Sequence, residues 1–209
     1  MISYLTQEII FPNVEQADPD GLLALGGDLS VERLVLAYKS GIFPWFEKDQ
    51  PILWWSPDPR FVLYPEKLKV SKSMKQVLKN SDFLVTVNQD FKRVITECSN
   101  AKREGQPGTW ITNSMIDGYV NLHEQGLATS VEVWQDNKIV AGFYGVDLQN
   151  GVFCGESMFT TVSNASKVAF ITFIQNTDYK LIDCQVYTNH LASLGAEDIS
   201  REVFLEYLK

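Results

Sequence analysis

The sequence predicts an α+β fold with a mixed sheet, attached to a small N-terminal part. Three observations carry this. From about residue 63 the chain reads strand, helix, helix, three meandering strands, helix, strand, helix. The last long strand follows a helix, so it can pair parallel to an earlier strand through a right-handed crossover. Residues 1–62 differ in character, being rich in Pro, Gly and Trp. They form a small α/β domain with a Trp/Pro-rich loop, and residues 63–209 the larger domain.

The elements follow in order. In "VERLVLAYKS", Val31, Leu34, Val35 and Tyr38 repeat at helical spacing, with Ser30 as N-cap and Gly41 as stop. Gly26-Gly27 serves a tight turn before this helix and lacks the signature of a phosphate loop. "GIFPWF" and "PILWWSPDPR" make a rigid, aromatic-loaded loop. "MKQVLKN" reads as a helix and "DFLVTV" as a strand. "QDFKRVITECSNAK" is a helix with Phe91, Val94, Ile95 and Cys98 on one face, and "NSMIDGYVNLHEQ" a helix capped by Thr112 and stopped by Gly126. "TSVEVWQ", "KIVAGFYGVDL" and "VFCGE" are consecutive antiparallel strands. "NASKVAFITFIQN" is a helix, "YKLIDCQV" a strand, and two short helical pieces end the chain.

Composition narrows the function. At 45% hydrophobic and 12% aromatic, the 209-residue chain packs a core. A net charge of -8 argues against general nucleic-acid binding. Three widely spaced cysteines suggest no disulfide framework and fit a reducing cytosol. The first residues do not resemble a signal peptide, and no apolar run is long enough to span a membrane. The two histidines, His123 and His190, sit on helical stretches without partners at metal-ligand spacing, so no metal site is expected.

Two polar groups interrupt the last long strand. Side chains alternate along a strand, so Leu181, Asp183 and Gln185 share one face, while Ile182, Cys184 and Val186 lie under the preceding helix. The crossover brings Glu156 close. Two carboxylates and an amide lining one cleft suit a cationic guest. "GESMF" lacks the second glycine of a nucleophile elbow, which argues against Ser157 as a nucleophile. Against the acidic total stand five lysines between Lys67 and Lys79 with no acid among them. Lys72, Lys75 and Lys79 fall on one helical face and offer a docking stripe for phosphates.

"GLLALGGDLS", "RLVLAYKSGIFPWF", "PILWWSPDPRFVL", "TWI", "SVEVW", "FCGESMF", "NASK", "LIDCQ" and "HLASLGA" together resemble the leucyl/phenylalanyl-tRNA–protein transferase family, from about residue 10 to 208. The resemblance implies a cytoplasmic enzyme of the N-degron pathway without a cofactor. Its donor is aminoacyl-tRNA carrying Leu or Phe, more weakly Met; its acceptors are proteins with N-terminal Arg or Lys. It implies a C-terminal domain like that of the acetyltransferase superfamily. An acyl-CoA-dependent relative would carry a Q/R-x-x-G-x-G/A turn, which is absent here.

By this resemblance Asp183, Gln185 and Glu156 are the catalytic candidates. Asp183 is expected to hold the incoming amine, Gln185 to position the amine or the ester carbonyl, and Glu156 to meet the acceptor side chain or orient the donor's 3′ end. Phe143, Met158, Phe170, Phe173 and Ile182 are expected to form the Leu/Phe pocket, and Trp45 and Trp110 to stack on the terminal adenosine. Lysines occupy the 72–79 stretch where relatives often carry arginine, which gives phosphates point charges without a fork.

Overall fold

A computed structural model describes residues 2–101 and 109–209. Two sheets and seven α-helices are formed among these residues. The first sheet has the order β1-β2-β4-β3, from β1 (Ser3–Leu5), β2 (Leu22–Gly26), β3 (Phe43–Pro44) and β4 (Leu53–Trp55). Helix α1 (Val31–Lys39) follows β2 and is capped by the Ser30 hydroxyl, which accepts from Arg33 N. Gly41 takes a left-handed φ of 74° just beyond it, as a helix stop requires.

The second sheet has the order β11-β5-β10-β9-β8-β7-β6. Its members are β5 (Arg60–Leu63), β6 (Leu84–Val87), β7 (Ala128–Gln135), β8 (Lys138–Asp147), β9 (Val152–Thr160), β10 (Leu181–Gln185) and β11 (Glu197–Ile199). The three meandering strands pair antiparallel, and β10 pairs parallel to β9. The sheet is therefore mixed, as expected. The boundary expected between residues 62 and 63 falls inside β5, and that whole strand belongs to the larger sheet.

The remaining helices are α2 (Lys72–Asn80), α3 (Phe91–Asn100), α4 (Asn113–Glu124), α5 (Ala165–Gln175), α6 (Asn189–Ser193) and α7 (Arg201–Tyr207). Lys102, in the sequence-predicted extension of α3, lies outside the described residues. The Ser71, Asp90 and Thr112 side chains cap α2, α3 and α4.

Two apolar clusters occupy the two faces of the larger sheet. One joins Cys154 and Leu181 to Tyr38, Trp54, Tyr119 and Phe204, so the N-terminal sheet, α1, α4 and α7 share one core with this face. The other joins Phe143, Phe153 and Ile182 to Met74 of α2 and Phe170 and Phe173 of α5. Helices α2 and α5 pack against each other on that second face.

Two local irregularities shape the centre. Between β8 and β9 the register shifts at Tyr144 and Gly145, so that Tyr144 faces Ser157 while Gly145 faces Gly155. Glu156 is the extra residue of a β-bulge, which re-aims its side chain. A Cβ on Gly145 would lie 2.3 Å from the Cys154 carbonyl oxygen, so only glycine permits this approach. Beyond the pair Asp183 and Cys154, β9 and β10 part. Gln185 then adopts a left-handed φ of 63°, ending the regular alternation of β10. Val186, expected beneath the helix, is half exposed as a result.

Candidate active site

The parting of β9 and β10 opens a cavity of about 520 Å³. Its walls include Phe143, Met158, Phe170 and Ile182 on the α5 side, and Glu156, Asp183 and Gln185 at the strand ends. Trp45 and Trp110 line it from the N-terminal part and from the segment before α4. Four of the five expected socket residues and all three polar candidates thus meet in one hollow. Phe173 does not line it. That ring lies behind, packed on Phe143, Phe153 and Tyr179 with centroids 5.3, 4.8 and 5.6 Å away. Lys72, Lys75 and Lys79 are exposed along α2, outside the cavity.

Asp183 is fully buried, and its cationic partner is part of the chain. Arg60 donates from Nε to Oδ1 at 2.8 Å and from Nη2 to Oδ2 at 2.6 Å. The Gln185 backbone N–H donates to the same Oδ1 at 2.9 Å. This corrects the expectation that the carboxylate waits for a cationic guest: a planar guanidinium already spans both oxygens. Arg60 is itself sandwiched, its guanidinium carbon 4.8 Å from the Phe43 ring centroid and 4.6 Å from that of Phe204. Its Nη1 donates to the Gly41 carbonyl at 3.2 Å. Burial works to lower the Arg60 pKa, but Asp183 outweighs it and the net shift is upward.

Glu156 has a different surround. Tyr38 donates to Oε1 at 2.7 Å, Tyr119 to Oε2 at 2.8 Å, and the Gln185 side-chain amide to Oε1 at 2.7 Å. The two tyrosine hydroxyls also touch each other. Burial pushes the Glu156 carboxyl up to about 7; the tyrosine hydrogen bonds oppose this, and the charge of Asp183 adds to it. Both tyrosines are held well above their usual range by burial and by Glu156.

Counting protons explains why both charge states fit here. An ionised Glu156 accepts from both tyrosines, leaving oxygen facing oxygen between them. A protonated Glu156 donates to one tyrosine, which donates to the other, which donates back to the carboxyl. The ring then closes. A group that exchanges a proton near neutral pH at low cost suits acid–base work.

Several of these partners are hidden in the sequence. Arg60 heads the short apolar run "RFVL", where a lone cation signals a buried partner. Tyr38 fits the apolar face of α1, and its period gives no hint that the hydroxyl is used. Tyr119 occupies a core position of α4 in the same way. His123 is a structural residue, stacked on Phe91 at 4.4 Å with Nδ1 at 2.8 Å from the Ala128 carbonyl. His190 lines the cavity. Among the described residues no cluster of His, Cys, Asp and Glu could hold a metal ion.

The description "Leucyl/phenylalanyl-tRNA protein transferase" matches residues 62–209, and that of the same protein's N-terminal domain matches residues 27–58. The chain is 58% identical over 209 residues to the leucyl/phenylalanyl-tRNA–protein transferase of Flavobacterium johnsoniae, covering 99% of this chain and 98% of the relative. It is 52% identical over 213 residues to that of Klebsiella pneumoniae subsp. pneumoniae, covering 100% and 90%. Among solved structures it is similar to a GCN5-related N-acetyltransferase from Kribbella flavida, with a TM-score of 0.41 and 14% identity over 78% of this chain and 58% of that one. The chain therefore belongs to the leucyl/phenylalanyl-tRNA–protein transferase family, aminoacyltransferases that move an amino acid from tRNA to protein.

Proposed function

We propose that this enzyme transfers Leu or Phe, and Met weakly, from aminoacyl-tRNA to the N-terminal Arg or Lys of acceptor proteins. The product is marked for N-degron degradation in the cytoplasm. The observation that carries the reading is the junction, in one cavity, of an apolar socket with the Glu156 carboxyl held by Tyr38, Tyr119 and Gln185. Phe143, Met158, Phe170 and Ile182 suit a Leu or Phe side chain, and Met158 adapts to either shape. Trp45 and Trp110 offer faces on which the terminal adenosine stacks.

The chemistry is aminolysis of an ester. The amine nitrogen attacks the ester carbonyl carbon, a C–N bond forms, and the C–O bond to the ribose breaks. An α-ammonium has a reference pKa of about 7.7 to 8.0. Glu156 at about 7 is near enough to accept its proton before attack. The proton shed by nitrogen after attack goes to the departing ribose oxygen. Gln185 links the two carboxylates, its side chain to Glu156 and its backbone to Asp183. Asp183 is assigned to fixing Gln185, since Arg60 already occupies both its oxygens. Orientation of amine and ester supplies most of the acceleration, on the order of 7 to 11 kcal/mol for well-placed reactants.

The test is transfer of labelled Leu and Phe from charged tRNA to peptides beginning with Arg, Lys, Asp or Glu. Incorporation into the Arg and Lys peptides alone is expected. Incorporation into the Asp or Glu peptides, or into none, overturns the reading.

A further inference from the structure

The far wall of the cavity carries polar groups that the transfer chemistry leaves unused. Ser166, in the first turn of α5, lines the cavity and is 9% exposed. Its hydroxyl has no hydrogen-bond partner among the described residues. His190 of α6 also lines the cavity, and its Nε2 is buried without a partner among the described residues. Burial, and then Lys167, lower the His190 pKa, so a lysine charge lies close by.

Ser166 and Lys167 lie in the first turn of an 11-residue helix. Asn164 precedes it in a left-handed conformation and makes no side-chain cap. Ala165 N–H donates to the Val162 carbonyl at 3.2 Å, while the Ser166 and Lys167 N–H groups have no acceptor among the described residues and can serve an outside one. An uncapped helix start, a serine hydroxyl, a lysine and an imidazole form a set of donors. Among the described residues no carboxylate lines this part of the wall; Glu156 and Asp183 lie at the strand ends. The complementary guest is an anion, and a phosphate uses several donors at once.

The position relative to the rest of the molecule selects the phosphate. Ser166 stands one turn before Phe170 on α5, so it borders the socket for the transferred side chain. Helix α2, with the exposed stripe Lys72, Lys75 and Lys79, packs against α5 on the same face of the sheet.

Resting on the function proposed above, we infer that Ser166, Lys167, His190 and the start of α5 bind the 5′-phosphate of the donor's terminal adenosine. The same chemistry would accept free inorganic phosphate, and the experiment separates the two. Adenosine and adenosine 5′-monophosphate are titrated by calorimetry into the full chain and into the double variant S166A/K167E. The monophosphate is expected to bind at least tenfold more tightly than adenosine to the parent. In the variant that advantage disappears, while adenosine affinity stays within twofold and so reports an intact fold. Inorganic phosphate is expected to compete with the monophosphate and not with adenosine.

With charged tRNA, the variant's KM rises about tenfold at unchanged kcat, and the slope of log affinity against log salt falls by about 0.7 for each phosphate no longer neutralised. Equal affinities in the parent, or an advantage that survives in the variant, overturn the site. Phosphate that binds without competing with the monophosphate overturns its assignment to the donor. If the parent transfers Leu to an Arg peptide and shows no monophosphate advantage, only this site falls. If it transfers nothing, the reading of function falls with it.

Discussion

Arg60 and Asp183 lie 123 positions apart in sequence and face each other as a two-point ion pair, at 2.8 and 2.6 Å, closed off from solvent. Arg60 starts β5 and Asp183 sits on β10, the neighbouring strand. The pair joins the loop after α1, through Gly41, to the point where β10 leaves β9. Removing one partner strands the other charge, which costs roughly 3 to 5 kcal/mol. Arg60→Met is therefore expected to lower the unfolding temperature by roughly 10 °C, at about 2 to 4 °C per kcal/mol for a chain of this size. Thermal unfolding of Arg60→Met, Asp183→Leu and the double variant checks this. The double variant should recover much of the loss, and simple additivity would refute the coupling.

Glu156 sets the pH dependence. Its folded-state pKa of about 7 lies above the ordinary carboxyl range. Between those values the folded state holds a proton that the unfolded state has released, so stability falls as pH rises. The linkage amounts to about 3 kcal/mol. Glu156→Gln lacks this loss, so its stability relative to the parent improves by about that amount between pH 4 and pH 8. Denaturant titrations at the two pH values measure it; a constant gap would contradict the raised pKa. In transfer assays the parent's rate should rise through pH 7 as Glu156 ionises. The variant should lose that inflexion and about 10²-fold in kcat.

The socket makes a prediction about side-chain size. Met158 is partly exposed at the cavity wall, so enlarging it disturbs the core little. Met158→Trp narrows the space and should reduce kcat/KM for Phe-tRNA at least tenfold more than for Leu-tRNA, a difference of about 1.4 kcal/mol. Phe173→Leu is the contrasting change. That ring is set back from the cavity, so this variant should lose stability while its Leu to Phe ratio stays unchanged. Competition between the two charged tRNAs gives the ratio directly.

The fold is legible wherever a period runs long enough. Helices α1 to α4 follow their apolar spacing, α5 and the meander β7 to β9 show as long apolar stretches, and Ser30, Thr112, Gly41 and Gly126 mark ends as expected. Strands β1, β3, β4 and β11 span three residues or fewer, too short for alternation to register. The site is legible by residue type but not by partnership. The geometry around Glu156 depends on a bulge that flips the parity of β9: Phe153 and Met158 face one cluster, Cys154 and Phe159 the other. No alternation rule locates such an extra residue. The sequence presents Asp183 as a carboxylate in need of a cation, which is right physically. Its cation arrives from a strand that neighbours β10 only after the chain folds.

Gln185 shows what this geometry costs. It is a non-glycine residue at φ 63°, held there by its backbone bond to Asp183 and its side-chain bond to Glu156. Such a conformation is unfavourable for any residue with a Cβ, by about 1 kcal/mol or more. Gln185→Ala and Gln185→Gly both delete the amide, so they differ only in the backbone. The glycine variant is expected to be about 1 kcal/mol more stable than the alanine variant, because the strain outweighs glycine's greater freedom when unfolded. Both should lose transfer, since neither can link Glu156 to β10. Paired denaturation curves with parallel transfer assays provide the measurement. An alanine variant as stable as the glycine one would show that the left-handed turn relaxes once the side chain is gone, and that Gln185 imposes it.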